Sequence, residues 1–305
     1  MYYVAVRIPV FLALLLSAIL APAQQVTLPL WPGGAPEPYT GGPQTDITKP
    51  TDRLVAGKPL AHMTNVSKPT LAFYPAPAEK NTGATIVVFP GGAYRILAYD
   101  LEGTEVCTWL NSIGVNCVLA QYRVPIQKRF PEDTSDLEDA QQAVRITRSH
   151  AAEWKLDPKR IGVLGFSAGG HLVVVLGNHP DFKRANEPAS EAAVSARPDF
   201  VVGIYPAYLA EPPALTQLSH GIDPSASTPP TFLLQAEDDP VHEENVLVYF
   251  QALKQLKVPA ELHVYAEGGH GYGLRPTDLP VTHWPALVET WLHTIHMLQP
   301  EANAK

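Results

Sequence analysis

Seven short apolar runs, each separated from the next by a longer segment, constrain the fold of this chain more than any other feature. The runs are rich in β-branched residues and stay apolar along their length instead of alternating with polar residues. Runs of this kind are typical of strands that are buried on both faces of a sheet. They cover residues 70–74, 85–89, 115–122, 160–166, 200–205, 231–236 and 260–265.

The segments between these runs have helical periodicity. In residues 135–154, Leu137, Ala140, Val144 and Trp154 recur at spacings that place them on one helical face. Strands that alternate with helices predict an α/β fold with a mostly parallel sheet and helices on both faces. The working site of such a sheet lies beyond the carboxyl ends of its strands. The other candidate helices cover residues 103–113, 168–178, 243–256 and 284–297.

The first 23 residues are interpreted as a secretory signal peptide. Arg7 gives a positive start, residues 8–20 form an uncharged apolar run, and Ala21-Pro22-Ala23 is a small-residue cleavage site. The run is shorter than the roughly 20 residues that a membrane-spanning helix needs. We therefore expect cleavage without stable membrane insertion, and a secreted protein in the extracellular space or the periplasm.

The rest of the chain divides into an arm and one domain. Residues 24–68 are rich in Pro, Gly and Thr and have no clear periodicity, which predicts an extended N-terminal arm. Residues 69–305 contain every predicted strand and helix without a repeat or an internal boundary. Secretion would permit a disulfide between Cys107 and Cys117, but the sequence leaves open whether they are bridged or are two buried free thiols.

Charge and motif content exclude several classes of protein. The chain has 22 Lys+Arg against 30 Asp+Glu, a net charge of -8 at pH 7, and no basic run, so a nucleic-acid partner is not expected. There is no P-loop, HExxH, paired CxxC or EF-hand pattern. Neither a metal nor a bound cofactor is therefore predicted.

The turn after the fourth run carries the candidate nucleophile. Residues 165–170 read Gly-Phe-Ser-Ala-Gly-Gly, a G-x-S-x-G pattern between a predicted strand and a predicted helix. A sharp turn here would lift the Ser167 hydroxyl off the sheet, and glycine two residues before and after it would avoid clashes. The free N–H groups at the helix start could then stabilise an oxyanion.

A glycine pair marks the candidate oxyanion loop. Residues 90–94 read Pro-Gly-Gly-Ala-Tyr directly after the second run. Glycine lets backbone N–H groups approach a substrate oxygen closely. We predict the Ala168 amide, next to the nucleophile, as one donor and the amide of Gly92 or Ala93 as the other, with the choice between the last two left open.

An acid and a base follow the last two runs. Glu237-Asp238-Asp239 comes after residues 231–236, and His270 lies in a glycine-rich loop after residues 260–265. A carboxylate at a strand end can orient a histidine ring and stabilise its protonated form. The chain order serine, aspartate, histidine is that of α/β-hydrolases. His171 follows the nucleophile on a helix, and we interpret it as a structural hydrogen-bonding residue.

Taken together, these segments resemble α/β-hydrolase esterases related to acetylxylan and feruloyl esterases, over residues 69–298. The resemblance rests on VVFPGGAYRILAYDLEGTEVCTWLNSIGVNCVLAQYRVP, RIGVLGFSAGGHL, LLQAEDDPVHEENVLVYFQAL, VPAELHVYAEGGHGYGLR and WPALVETWL. It implies hydrolysis of acetyl, or in some members feruloyl, esters on plant polysaccharide without a cofactor. The partner would be an acylated carbohydrate or a small ester.

A second resemblance concerns the acid. The stretch EDDPV is similar to the loop of dipeptidyl and prolyl oligopeptidases in which the first Asp of a D-x-x-V pattern is the triad acid. Carried over, this favours Asp238 over Asp239 and gives Ser167, Asp238 and His270 as the expected triad.

The same residue pattern is compatible with other functions. A generic small-ester carboxylesterase would use the same residues, and so would a serine peptidase, although the chain has no room for the extra propeller domain that oligopeptidases carry. A non-catalytic protein that keeps the fold is a further alternative. We expect residues 94–102 and 206–229 to shape the acyl pocket, but the sequence fixes neither the acyl group nor the sugar position nor the oligomeric state.

Overall fold

The computed structural model describes residues 26–36, 42–49, 51–52, 54–184 and 193–298. The predicted signal peptide, residues 1–23, lies outside the described residues. Within them, no helix has the length and apolar character needed to cross a bilayer.

An eight-stranded sheet forms the centre of the molecule, in the order β1-β4-β7-β5-β8-β9-β10-β11. Six neighbouring strands are parallel, namely β7, β5, β8, β9, β10 and β11. At one edge β1 and β4 pair antiparallel, and β4 also pairs antiparallel with β7. The predicted α/β fold with a mostly parallel sheet is confirmed. The strands are β1 Val26–Pro29, β4 Thr70–Tyr74, β5 Thr85–Phe89, β7 Asn116–Gln121, β8 Ile161–Phe166, β9 Val201–Ile204, β10 Thr231–Ala236 and β11 Ala260–Tyr265.

Helices cover both faces of this sheet. Side chains from α2, α3 and α4 pack against one face together with Val87 and Val163. Side chains from α1 and α5 pack against the other face together with Ile86 and Leu164, the strand neighbours of Val87 and Val163. This alternation between adjacent residues is the pleat of a strand that is buried on both faces. The helices are α1 Glu105–Ser112, α2 Ser135–Ser149, α3 Ala168–Asn178, α4 Glu244–Gln255 and α5 Trp284–Thr294.

One predicted helix is too long. The pattern of residues 135–154 predicts a helix that includes Trp154, but α2 ends at Ser149. Trp154 is buried because the turn after the helix returns it to the core, where its ring stacks on Phe73 with centroids 4.3 Å apart. The helical spacing of Trp154 therefore reflects its packing in the core and does not show that it belongs to the helix.

The segment predicted as an extended arm is attached to the domain at several points. Its first strand, β1, is an edge strand of the main sheet. Two further strands, β2 (Thr45–Asp46) and β3 (His62–Thr64), form a small antiparallel sheet with β6 (Leu97–Ala98). The division of the chain at residue 69 stays a prediction.

Arg275 joins the arm to the rest of the domain. Its side chain is buried, and it donates to the carbonyl oxygens of Lys58 and Pro59 at 3.0 and 2.8 Å. It also pairs with the carboxylates of Asp100 and Glu105 at 2.9 and 2.8 Å. One guanidinium thus connects the arm, the helical turn at 100–104 and the loop that follows β11.

The two cysteines form a disulfide. Cys107 in α1 and Cys117 in β7 are bonded, with their Cα atoms 5.1 Å apart. The bond fastens α1 to the strand that follows it and answers the question that the sequence left open.

Candidate active site

Ser167 lies on a sharp turn between β8 and α3. Its backbone has φ 51° and ψ −116°, a strained conformation for a residue with a side chain. The flanking glycines make this turn possible. A Cβ on Gly165 would lie 2.1 Å from the Gly169 carbonyl oxygen, and one on Gly169 would lie 2.1 Å from the carbonyl oxygen of Phe89 in the neighbouring strand. The helix start can therefore pass close over the sheet only because these residues are glycine.

Three side chains from separate loops form one line of hydrogen bonds. His270 Nε2 lies 2.8 Å from Ser167 Oγ, and His270 Nδ1 lies 2.8 Å from an Asp239 carboxylate oxygen. A carboxylate can only accept, so Nδ1 carries the hydrogen and Nε2 is left to accept the one from the serine hydroxyl. The arrangement can withdraw a proton from Ser167 and stabilise the imidazolium that results.

The preference for Asp238 as the acid was wrong, because Asp239 contacts His270. Asp239 is buried, and its carboxylate also accepts from the Val241 amide at 2.7 Å and the Gln235 side chain at 3.2 Å. Asp238 is exposed on the same turn and faces the other way. Its carboxylate accepts from the backbone amides of Gly268 and Gly269 at 2.9 and 2.7 Å. Asp238 therefore holds the loop that carries His270, and Asp239 holds the ring.

The predicted oxyanion donors lie around the serine. Gly92 and Ala93 line the same cavity as Ser167, and Ala168 is the first residue of α3. Both loop residues have positive φ, 136° at Gly92 and 53° at Ala93. In the described part of the chain the amides of these three residues have no hydrogen-bond partner. They remain free to donate to a substrate oxygen, and the choice between Gly92 and Ala93 stays open.

Glu102 is a site residue that was not predicted from the sequence, and it connects two loops of the site through hydrogen bonds. It is 4% exposed, and one carboxylate oxygen accepts from the Gly91 amide at 2.7 Å. The other oxygen accepts from the Tyr205 hydroxyl at 2.9 Å, and that hydroxyl accepts from the Gly273 amide at 3.1 Å. Burial raises the pKa of Glu102, and the two donors oppose that rise. One buried carboxylate thereby links the oxyanion loop with the loop of His270.

Tyr205 could have been found from its position. It directly follows β9 at the carboxyl edge of the sheet, as the other site residues follow their strands, and its ring packs edge-on against His270 with centroids 4.9 Å apart. For Glu102 no motif was available. Its role depends on the helical turn at 100–104, which carries the residue beneath a loop eleven positions earlier in the chain.

His171 has the structural environment that was expected for it. The residue is buried in α3, and its Nδ1 lies 2.6 Å from the Tyr94 hydroxyl. Burial, assisted by the positive charge of Arg129, lowers the pKa of the imidazole from 6.5 to about 3. A neutral ring at this position supports Tyr94 behind the oxyanion loop.

A cavity of about 810 Å³ opens in front of Ser167 and His270. Both loops that were expected to shape an acyl pocket contribute to it, residues 94–102 and 206–229. The N-terminal arm adds Val55, Leu60 and His62, which the sequence did not predict. Over the described ranges, His, Cys, Asp and Glu side chains form no group of three that could hold a metal ion.

Comparison with known proteins identifies related sequences. A model of the BD-FAE family matches residues 71–208. The acetylxylan esterase of Xylanibacter ruminicola is 29% identical over 219 residues, which are 64% of this chain and 42% of that protein. Endo-1,4-beta-xylanase B of Butyrivibrio fibrisolvens is 31% identical over 204 residues, 61% of this chain and 32% of that protein. The chain thus spans less than half the length of either relative.

A solved structure matches almost end to end. The acetyl ester-xyloside bifunctional hydrolase from Caldicellulosiruptor lactoaceticus is 34% identical and aligns with a TM-score of 0.69. The alignment covers 90% of this chain and 97% of that one. The similarity therefore extends over most of the chain and not over a single motif.

Proposed function

The chain belongs to the carbohydrate esterase-like α/β-hydrolases, and from this premise we propose that it is an exported serine esterase that removes acetyl groups from plant polysaccharide such as xylan. The observation that carries the proposal is the Ser167–His270–Asp239 line of hydrogen bonds beside three free backbone amides. Two of the related proteins are named acetylxylan esterase and endo-1,4-beta-xylanase B, which supports a substrate of this class.

The mechanism follows from the geometry. Ser167 Oγ attacks the ester carbonyl carbon while His270 Nε2 takes its proton, and the tetrahedral oxyanion accepts from the amides of Ala168 and of Gly92 or Ala93. His270 then gives the proton to the departing sugar oxygen, which leaves an acetyl group on Ser167. A water molecule repeats the same steps, releasing acetate and restoring the serine.

Acetate release provides the test of this function. We expect residues 24–305 to release acetate from acetylated xylan and to cleave 4-nitrophenyl acetate. Ser167→Ala should lower the turnover number on both by about 10⁶-fold. A Ser167→Ala variant that kept a tenth of the activity would overturn the assignment of the nucleophile.

A small-ester carboxylesterase is the second candidate, and the cavity gives it support. Leu60, Ile96, Leu101, Leu215 and Val241 make much of the wall apolar, which suits a simple acyl or alkyl group. Cleavage of 4-nitrophenyl acetate with no acetate from xylan would favour this candidate. Ferulate release from feruloylated arabinoxylan would instead extend the acyl range within the carbohydrate esterases.

Export is part of the proposal. It rests on the signal-peptide pattern of residues 1–23, and the Cys107–Cys117 disulfide supports it because disulfides persist in oxidising compartments. The expected mature protein begins at Gln24. Sequencing the N-terminus of protein recovered from the periplasm or the medium tests this, and an intact Met1 there would contradict it.

A further inference from the structure

A second cavity lies against the wall of the active-site cavity. It measures about 640 Å³ and shares Ala93, Arg95, Ile96, Arg129 and Tyr208 with the cavity in front of Ser167. Ala93 belongs to the candidate oxyanion loop, so this second cavity adjoins the one in front of Ser167. We call it the side cleft.

The side cleft is rich in cationic side chains. Arg95, Lys128 and Arg129 line it, and Thr64 and Gln127 add neutral polar groups. The net charge of the chain is -8, so a group of three cations beside the active site runs against the character of the whole molecule. The local field therefore favours an anion where the overall field does not.

The Arg129 side chain is held in position. Its guanidinium carbon lies 4.2 Å from the centroid of the Tyr208 ring, and that ring stacks on Tyr94 with centroids 6.2 Å apart. Such a contact positions a guanidinium while leaving its N–H groups free to donate. Arg129 lines both cavities, so it lies where the side cleft meets the cavity in front of Ser167.

Two carboxylates close to Arg129 in the sequence lie near other polar side chains. Asp133 accepts from the amide and the hydroxyl of Ser135 at 3.0 and 2.6 Å, and Glu132 lies 3.6 Å from the imidazole of His220. Among the residues that the structure describes, no carboxylate forms an ion pair with Arg95, Lys128 or Arg129. The three cations are available to a ligand.

We propose that the side cleft binds a carboxylate carried by the substrate, so that the enzyme prefers acetyl groups on chains that bear an acidic sugar such as glucuronate. A guanidinium matches the two oxygens of a carboxylate, and Lys128 and Arg95 add charge around it. This inference rests on the proposed function, since it assumes that the ester cleaved at Ser167 is on a carbohydrate.

The test compares substrates that carry an acidic branch with substrates that lack it. Acetylated xylo-oligosaccharides are separated by anion exchange into fractions with and without a glucuronate branch, and kcat/KM for acetate release is measured on each. We expect about a tenfold preference for the acidic fraction at low salt, decreasing as ionic strength rises. Equal kcat/KM on both fractions would overturn the proposal.

A charge-removing variant identifies the residues responsible. Lys128→Gln combined with Arg129→Gln should reduce the ratio of acidic to neutral kcat/KM to about one. The matched control, Lys159→Gln with Lys254→Gln, removes two charges that precede β8 and β11 and so lie at the opposite edge of the sheet. It should keep the wild-type ratio. A Lys128/Arg129 variant that kept that ratio would assign the preference to another surface and overturn the proposal.

A binding measurement keeps this result separate from the proposed function. In the Ser167→Ala background, calorimetry should give about tenfold tighter binding of an acidic xylo-oligosaccharide than of the neutral one, and the Lys128/Arg129 variant should abolish the difference. Failure to hydrolyse any carbohydrate, with 4-nitrophenyl acetate still cleaved, would contradict the proposed function alone. Equal binding of the two oligosaccharides would contradict the side cleft as an anion site.

Discussion

Asp238 and Asp239, adjacent in the chain, act on the same histidine loop from opposite sides of one turn. Asp239 is bonded to the His270 ring, whereas Asp238 is bonded to the amides of Gly268 and Gly269. We expect Asp239→Asn to lower kcat on 4-nitrophenyl acetate by about 10³- to 10⁴-fold, because an amide cannot fix the same tautomer of the ring.

Asp238→Asn is the matched comparison for that experiment. It removes one negative charge from the neighbouring position but leaves a side-chain oxygen that still accepts from the two amides. We expect less than about a tenfold loss of kcat. If the two variants exchanged these effects, Asp238 would be the acid and the arrangement described above would be wrong.

Glu102→Gln tests the buried link between the two loops. An amide can accept from Gly91 or from Tyr205 but not from both, since one end is now a donor. The oxyanion loop should lose part of its fixed geometry, and we expect kcat to fall by about 10- to 100-fold with KM nearly unchanged.

The control for Glu102 is Glu153→Gln, which removes the same charge from an exposed position. It should leave kcat at the wild-type value. If Glu102→Gln lowered only the melting temperature and not kcat, the carboxylate would serve stability and would not position the amides.

The low pKa of His171 predicts an acid-sensitive fold. The folded state keeps this ring neutral down to about pH 3, whereas the unfolded chain binds a proton near pH 6.5. Stability from this group is therefore complete above pH 6.5 and is lost as the pH falls from there towards 3. The His171→Gln variant cannot titrate at this position, so its stability relative to wild type should rise by about 2 kcal/mol between pH 7 and pH 5.

Urea unfolding of both proteins at the two pH values measures this difference. The comparison between variants at each pH removes the contribution of every other titrating group. A difference that did not change between pH 7 and pH 5 would mean that His171 binds its proton over the same pH range in the folded protein as in the unfolded chain.

Gly169→Ala tests the close approach of α3 to the sheet. The new Cβ would meet the carbonyl oxygens of Phe89 and Pro90 at 2.1 and 2.7 Å, and backbone atoms cannot move away cheaply. We expect a loss of about 3 kcal/mol or more of unfolding free energy. Gly33→Ala is the control, since nothing lies within 4 Å of its Cβ, and thermal unfolding of both variants distinguishes steric conflict from a general effect of losing glycine.

Local sequence signals predicted the sheet well, and two of the candidate site residues that they indicated lie together in the structure. The bounds of β5, α3, β10 and β11 agree with the predicted bounds, because residues typical of turns flank each of these elements. Ser167 and His270 could be placed because the carboxyl ends of parallel strands meet at one edge, so position after a strand already implies proximity.

The remaining features depend on contacts between distant segments. The direction of one turn decides whether Asp238 or Asp239 faces His270, and the alternation of residue types does not encode that direction. The resemblance to oligopeptidases favoured the wrong residue. Glu102 acts through a loop that precedes it, and Val55, Leu60 and His62 enter the cavity from an arm without periodicity. No local pattern reports such juxtapositions.

The contacts of Arg275 have a consequence for the order in which parts of this protein can fold. The guanidinium holds Lys58 and Pro59, more than two hundred residues earlier in the chain, beside Asp100 and Glu105. Contacts of such long sequence separation are slow to form, because the entropy lost on closing the intervening loop opposes them. During synthesis the arm emerges long before Arg275 does. The arm can pair with β6 through β3 earlier, but the segment at Lys58 and Pro59 gains this anchor only after residue 275 has been made.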